Sequence, residues 1–214
     1  MAENWKENIY ERDEAIDMMY LSDFAEGWRD MFATPPFETP YGCQADAFTI
    51  NHTGGTVAIE TKSRKGEFNG FTYKGYDDIY IEDGKYRYLL SLWTNYNVPA
   101  LFINFFNDGQ DALVYNIPAL MKDRMKYYPK GWFNPATGRW EARYGIPITD
   151  GIWYRKAKEG WIRVRNAENQ KRMGYATECH GENIAYLLSN VIRMNNWKEL
   201  INAYDAGRQK SRES

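Results

Sequence analysis

The spacing of apolar positions at the start of the chain predicts a helix. Ile9, Ile16, Met19, Leu21, Phe24, Trp28, Met31 and Phe32 recur at mostly three- and four-residue intervals among acids over residues 8–33, the period of one face of an amphipathic helix. A break is expected near Leu21-Ser22-Asp23, where a Ser/Asp pair can cap a second segment. The run ATPPFETPYG then stops helical structure, because its prolines lack an amide donor and hold φ fixed.

Beyond that run the period shortens to the alternation of strands. CQADAFTI and TVAIETK, separated by the glycine-rich NHTGG, predict a β-hairpin. A register that pairs Asp46 with Glu60 also sets Asn51 opposite Gly55, and leaves a loop HTG whose Gly54 can take the positive φ that such loops favour. A slip of one residue would send the two carboxylates to opposite faces. After a polar loop and a short IYI run, EDGKYRYLLSLWTNYN repeats Tyr86, Leu89, Leu90 and Trp93 with helical spacing behind a candidate N-cap at Asp83. VPALFINFF reads as a strand buried on both faces, and ALVYNI as its antiparallel neighbour across the turn NDGQD. This order of elements predicts an α/β fold, a mixed sheet flanked by helices.

From residue 128 the texture becomes short aromatic runs between glycine and proline turns, and one or two hairpins are expected, such as GIWYR paired with GWIRV about KAKE. The segment 180–206 predicts a helix or helix pair, clearest from Glu182 to Met194. A single domain over residues 1–214 is expected, with a core at about 8–116, a β-rich aromatic and basic segment at 128–172 and the helical segment 180–206.

Composition narrows the class. A chain that is 43% hydrophobic and 16% aromatic, with 8 Trp and 17 Tyr, folds rather than staying disordered. Its formal net charge of -2 gives no global attraction to a polyanion, so a nucleic acid has to be met by local basic patches. Cys43 and Cys179 lie far apart without zinc-ligand spacing, and His52 and His180 read as polar loop residues. The N-terminus is charged throughout and no apolar run approaches the ~18 residues of a membrane span. A cytoplasmic protein without signal peptide or membrane anchor is expected.

Alternation puts Glu60 and Lys62 on one face of their strand, and the even register adds Asp46. Two neighbouring carboxylates repel and call for a cation, and oxygen ligands favour Mg²⁺ or Mn²⁺ over zinc. The bland reading is a cross-strand ion pair on a solvated face. Against it stand the apolar neighbours on both sides, Ala45, Ala47, Val57 and Ile59 on one and Phe48, Ile50 and Ala58 on the other. A strand covered on both faces does not carry charges without a compensating role.

The arrangement of Asp46, thirteen intervening residues and then Glu60-Thr61-Lys62, with the carboxylates on the two strands of one hairpin, resembles the signature of the PD-(D/E)XK nuclease superfamily. The resemblance spans residues 8–116 and includes the following helix-to-strand unit. It implies a restriction-endonuclease-like fold with a β-hairpin-rich insertion or extension. It also implies metal ligation by Asp46, Glu60 and the Thr61 carbonyl, with Lys62 at the attacking water. The activity implied is Mg²⁺- or Mn²⁺-dependent hydrolysis of DNA, with RNA left open, leaving a 5′-phosphate. Holliday-junction resolvases belong to that superfamily, so an endonuclease of recombination, repair or restriction type is implied, and a homodimer with it. Some relatives add an acid from the first helix, for which Glu11, Glu14 and Glu26 are candidates. The chain departs from the pattern in having Ala45 rather than proline before Asp46, a long loop after Lys62, and no Gln-x-x-x-Tyr on the next helix.

Arg64 and Lys65 sit beside this triad, and the aromatic ribbon carries Arg155, Lys156, Arg163 and Arg165. These six read equally as a surface for nucleic acid and as the solvated charges of ordinary strands. The alternative function, from a different class, is a nuclease-fold binding or scaffold protein that cuts nothing.

Overall fold

Runs such as VAI and ALFINFF can be buried only between two covering layers, and a computed structural model of the chain places them there. The structure describes residues 4–27, 34–39, 44–51, 55–135 and 138–167. Trp28, Met31, Phe32, the loop HTG, both cysteines and both histidines lie outside the described residues, as does the segment 180–206.

Helix α1 covers Asn4–Gly27. Strands β1 (Phe37–Glu38), β2 (Ala47–Ile50) and β3 (Thr56–Ser63) follow, then β4 (Asp78–Glu82), helix α2 (Asp83–Tyr96), β5 (Ala100–Phe106) and β6 (Asp111–Asn116). The chain continues through β7 (Lys126–Asn134), β8 (Arg139–Pro147), β9 (Ile152–Ala157) and β10 (Gly160–Arg165). A seven-stranded sheet runs in the order β1-β2-β3-β5-β6-β9-β10, and a three-stranded sheet in the order β4-β8-β7. In the larger sheet β3 and β5 pair in parallel, joined by a connection that includes β4 and α2, and the other neighbours are antiparallel. Among the described residues this is a mixed α/β sheet flanked by two helices, the predicted fold class.

The hairpin register is the one that keeps Asp46 with Glu60. Ala47 pairs with Ile59 and Ile50 with Thr56, and the Asn51 N–H donates to the Gly55 carbonyl at 2.9 Å. One face of the sheet packs Ala47, Val57, Ile59, Leu101, Ile103 and Phe105 against Leu21, Phe24 and Ala25 of α1. The other packs Phe48, Ala58, Phe102 and Tyr115 with Tyr86, Leu89 and Leu92 of α2 and with Ile79, Ile81 and Ile146 of the second sheet. The turn before β6 has left-handed φ at Asn107, Asp108 and Gly109, as the NDGQD signal requires. The GIWYR and GWIRV hairpin is present as β9 and β10, and it extends the main sheet at its edge.

Two local expectations are corrected. Helix α1 does not break at Leu21-Ser22-Asp23: Leu21 and Phe24 are fully buried on one face, while Asp23 accepts from Lys156 Nζ at 2.6 Å and Trp161 Nε1 at 3.1 Å instead of capping. Nor is Asp83 the N-cap of α2. Glu82 holds that position without a side-chain cap, and Asp83 is the first helical residue, accepting from Arg87 Nε at 2.8 Å one turn on. No helix among the described residues is long and apolar enough to cross a membrane.

Phe24 pins α1 through edge-on contacts with Phe105, Tyr154 and Trp161, at centroid distances of 6.0, 5.4 and 5.0 Å. Its truncation leaves a cavity between helix and sheet. Phe24→Ala is expected to lower unfolding free energy by about 3–5 kcal/mol, read as a lower urea midpoint with an unchanged slope.

Candidate active site

Glu60, Lys62 and Arg64 leave β3 and the residues after it on the α2 side of the sheet, where they line a cleft of about 90 Å³ with Phe102, Lys85 and Arg143. Asp46 lies one residue before β2. Its main-chain N–H donates to the Ile59 carbonyl at 3.0 Å, and its Oδ2 accepts from the Thr61 N–H at 2.7 Å and from the Thr61 hydroxyl at 3.3 Å. Asp46 is therefore fixed by the very residue whose carbonyl the resemblance assigns to a metal.

Lys85, on the first turn of α2, enters this arrangement although sequence reasoning missed it. Its Nζ lies 2.7 Å from Glu60 Oε2 and 3.8 Å from Asp46 Oδ1, and it donates to the Gln44 carbonyl at 2.6 Å. Burial pushes the Glu60 carboxyl well above its ordinary range, the Asp46 carboxylate pushes it further, and Lys85 opposes both. Burial also works against the Lys85 charge, but Glu60 and Asp46 outweigh it and leave the ammonium raised. A sequence signal did exist. A helix N-terminus disfavours a cation, so a lysine in the first turn of an amphipathic helix needs a carboxylate nearby.

On the α1 side, Asp17 accepts from the Ser63 N–H at 2.6 Å and also binds the Ser63 hydroxyl. Burial raises the Asp17 carboxyl despite those two hydrogen bonds and the nearby Lys62. Of the three helix acids left open, Glu14 is the one that feels the site. Its carboxyl is raised by burial first, then by Glu38, Asp46 and Asp17, with Lys85 opposing. Glu26 lines a separate cleft beside Trp161, and the side chain of Glu11 lies outside the described residues.

The basic candidates divide. Lys62 is exposed and, among the described residues, forms no hydrogen bond or ion pair, while Lys65 is exposed beside it. Arg64 turns inward, donating from Nε to Asn104 Oδ1 at 2.5 Å and from Nη2 to the Tyr80 carbonyl at 2.7 Å, and burial lowers its pKa to about 10. Arg155 pairs with the buried Asp111 at 2.9 Å, Lys156 with Asp23 at 2.6 Å, and Arg165 donates to the Ile148 carbonyl at 2.8 Å and to that of Gly70. Arg163 is exposed on β10. Strands β9 and β10 lie three and four places from β3, roughly 14–19 Å at ordinary strand spacing. The structure thus does not gather these four with Glu60.

Among the described residues no three His, Cys, Asp or Glu side chains converge as a metal cage. The donors that the resemblance implies are two carboxylates, Asp46 and Glu60, and the Thr61 main-chain carbonyl. That set fits Mg²⁺, which is commonly held by one or two carboxylates together with water and substrate phosphate.

No protein-family model and no curated protein matches this sequence. Among solved structures the chain is similar to Hjc, a Holliday junction resolvase from the archaeal hyperthermophile Archaeoglobus fulgidus. The identity is 14% and the TM-score 0.34, covering 58% of this chain and 76% of that one.

The raised Glu60 pKa fixes a sign. Because burial raises the folded Glu60 carboxyl above its ordinary 4.5, its contribution favours the fold below that pH and is lost as pH rises through the folded pKa. Glu60→Gln, which removes the charge and keeps the shape, is expected to melt above the wild type at about pH 7.5, with the gap closing toward about pH 4. Lys85→Met is expected to cost about 2 kcal/mol by leaving the carboxylates without their cation. Thermal melts across pH measure the first effect and urea titration the second.

Proposed function

We propose that this chain is a metal-dependent nuclease that hydrolyses DNA phosphodiester bonds, an endonuclease of recombination, repair or restriction type. The observation that carries the reading is the pairing that sets Asp46 and Glu60 about one cation at the mouth of a cleft whose rim holds the uncommitted Lys62. Asp46, Glu60 and the Thr61 carbonyl would hold Mg²⁺ or Mn²⁺, which would supply an acidified water and charge neutralisation at the phosphodiester.

The remaining work falls to the chain itself. As the water oxygen bonds to phosphorus and the P–O3′ bond breaks, the water gives up a proton, the 3′ oxygen gains one, and the phosphate stays on the 5′ end. Lys62 donates a hydrogen bond to the attacking water and offsets charge building on the phosphoryl oxygens. Glu60 and Asp46 keep the site negative enough to need a cation. Lys85 balances that charge when no other cation is present. Cutting both strands of a duplex calls for two such sites, which a homodimer would supply.

One observation favours a second reading. The Lys85 ammonium already neutralises the carboxylates, as suits a nuclease-fold binding or scaffold protein that takes no metal. The two readings separate in a metal titration. Mn²⁺ is expected to raise the melting temperature of the wild type and not of Glu60→Ala; no metal-linked rise supports the scaffold.

Activity is tested on linear duplex, single-stranded and four-way-junction DNA and on RNA, with and without Mn²⁺. Metal-dependent cleavage of DNA is expected, with Asp46→Ala, Glu60→Ala and Lys62→Ala each lowering it about a hundredfold or more. Cleavage that persists at the wild-type rate in Asp46→Ala or Lys62→Ala would overturn the assigned site.

A further inference from the structure

The three-stranded sheet has two unlike faces. Pairing sets Tyr144 opposite Ile81 and Ile146 opposite Ile79, and this side is spent on the core, where Tyr144 meets Tyr86 at 4.9 Å between centroids. The register places Arg143 opposite both Glu82 and Tyr128, with Tyr80 and Gly145 two residues along on the same side. This second face looks into the candidate cleft, because Tyr80, Glu82 and Arg143 line it together with Glu60, Lys62 and Lys85.

Its aromatics form a row. Tyr80 and Tyr128 meet edge to face at 5.6 Å, and the Arg143 guanidinium lies 4.7 Å from the centre of the Trp132 ring. Tyr128 and Trp132 are half-buried, so the row is open to solvent while β7 and β8 fix its rings. The Arg143 Nε finds no hydrogen-bond acceptor among the described residues. Along the cleft Arg64 and Lys85 are already committed, and Lys62 and Arg143 are the cations left to meet a phosphate.

We infer that this face is a base-stacking platform for an unpaired strand of nucleic acid running into the cleft. The inference rests on the nuclease reading and adds the substrate class, strands that are single or locally unpaired. The chemistry selects a single strand over a duplex: in a duplex the base faces are covered by their neighbours, whereas an unpaired base offers a face to Tyr80, Tyr128 or Trp132 and its phosphate to Arg143.

The test is equilibrium binding by fluorescence anisotropy, using the full chain in EDTA so that nothing is cut. The probes are a labelled oligothymidylate of about 20 nucleotides and a duplex of equal length. The wild type is expected to bind the single strand at least about tenfold more tightly than the duplex. Trp132→Ala should weaken single-strand binding about tenfold, the contribution of one stacked base, and duplex binding by less than about twofold. Trp132→Phe, which keeps a stacking ring, should retain most of the affinity and guards against misreading a folding defect. Unchanged single-strand affinity in Trp132→Ala, or an equal loss for both probes, overturns the platform. A cleavage assay of the wild type in Mn²⁺ separates the two readings: if it never cuts but the Trp132 effect stands, the nuclease reading alone falls. If cutting stands and the Trp132 effect is absent, the platform alone falls.

Discussion

A carboxylate set into the interior of a covered sheet is tolerable only beside a positive charge, and that constraint organises this molecule. Glu60 belongs to β3, between the α1 layer and the layer built by α2 and the second sheet, and is 8% exposed. Its countercharge comes from Lys85, the third residue of the crossover helix α2. The helix that covers the sheet therefore also delivers the cation, although its own N-terminal dipole opposes one there. Helix, strand and hairpin are held in one relation because moving any of them would strand a charge.

What was legible in the sequence was what short-range geometry decides. Two alternating runs with a brief glycine-rich connection leave few registers, but burial of Val57 and Ile59 on one side with Phe48 and Ala58 on the other makes both faces apolar and does not by itself choose among them. The sequence permits the register that opposes Asp46 and Glu60, and the observed pairing of Ala47 with Ile59 is that register. Helix α1 marks the limit of the method. Its Ser-Asp signal is a good local cap, but the burial of Leu21 and Phe24 and the partners Lys156 and Trp161, 133 and 138 residues away from Asp23, outweigh it. A cap contributes about 1 kcal/mol, less than the burial of two large apolar side chains.

The rest was hidden because charge in a sequence does not reveal its partner. Arg155 lies in a basic and aromatic ribbon that composition alone reads as a surface, yet Asp111, from a strand three steps earlier in the chain, takes its Nε and the Trp153 indole N–H on one carboxylate oxygen. Arg143, in the same ribbon and of the same residue type, lies near Glu82 and Glu141, but its Nε finds no hydrogen-bond acceptor among the described residues and it lines the cleft. Only the order of strands distinguishes them. Glu14 was obscured in the same way, and the first-turn position of Lys85 hinted at a carboxylate without naming it, since each comes from a helix whose placement over the hairpin is set by core packing.

These placements also bear on why Lys62, rather than a neighbouring cation, suits chemistry. A group that acts on a substrate needs a fixed backbone and an uncommitted head. The residues around Lys62 supply the first condition: the Thr61 N–H is held by Asp46, the Ser63 N–H by Asp17 from the opposite layer, and Arg64 is locked to Asn104 and the Tyr80 carbonyl. The second follows from position. Lys62 stands where β3 leaves the sheet, on the lip between the cleft that holds Glu60 and a larger one of about 320 Å³ beside α1. Arg64 has spent its donors inside and Lys85 is bound to two carboxylates, so both are counterions before any substrate arrives. Lys62 has its main chain immobilised on both sides and its ammonium free, which lets it follow charge that develops at a phosphate rather than charge the protein already carries.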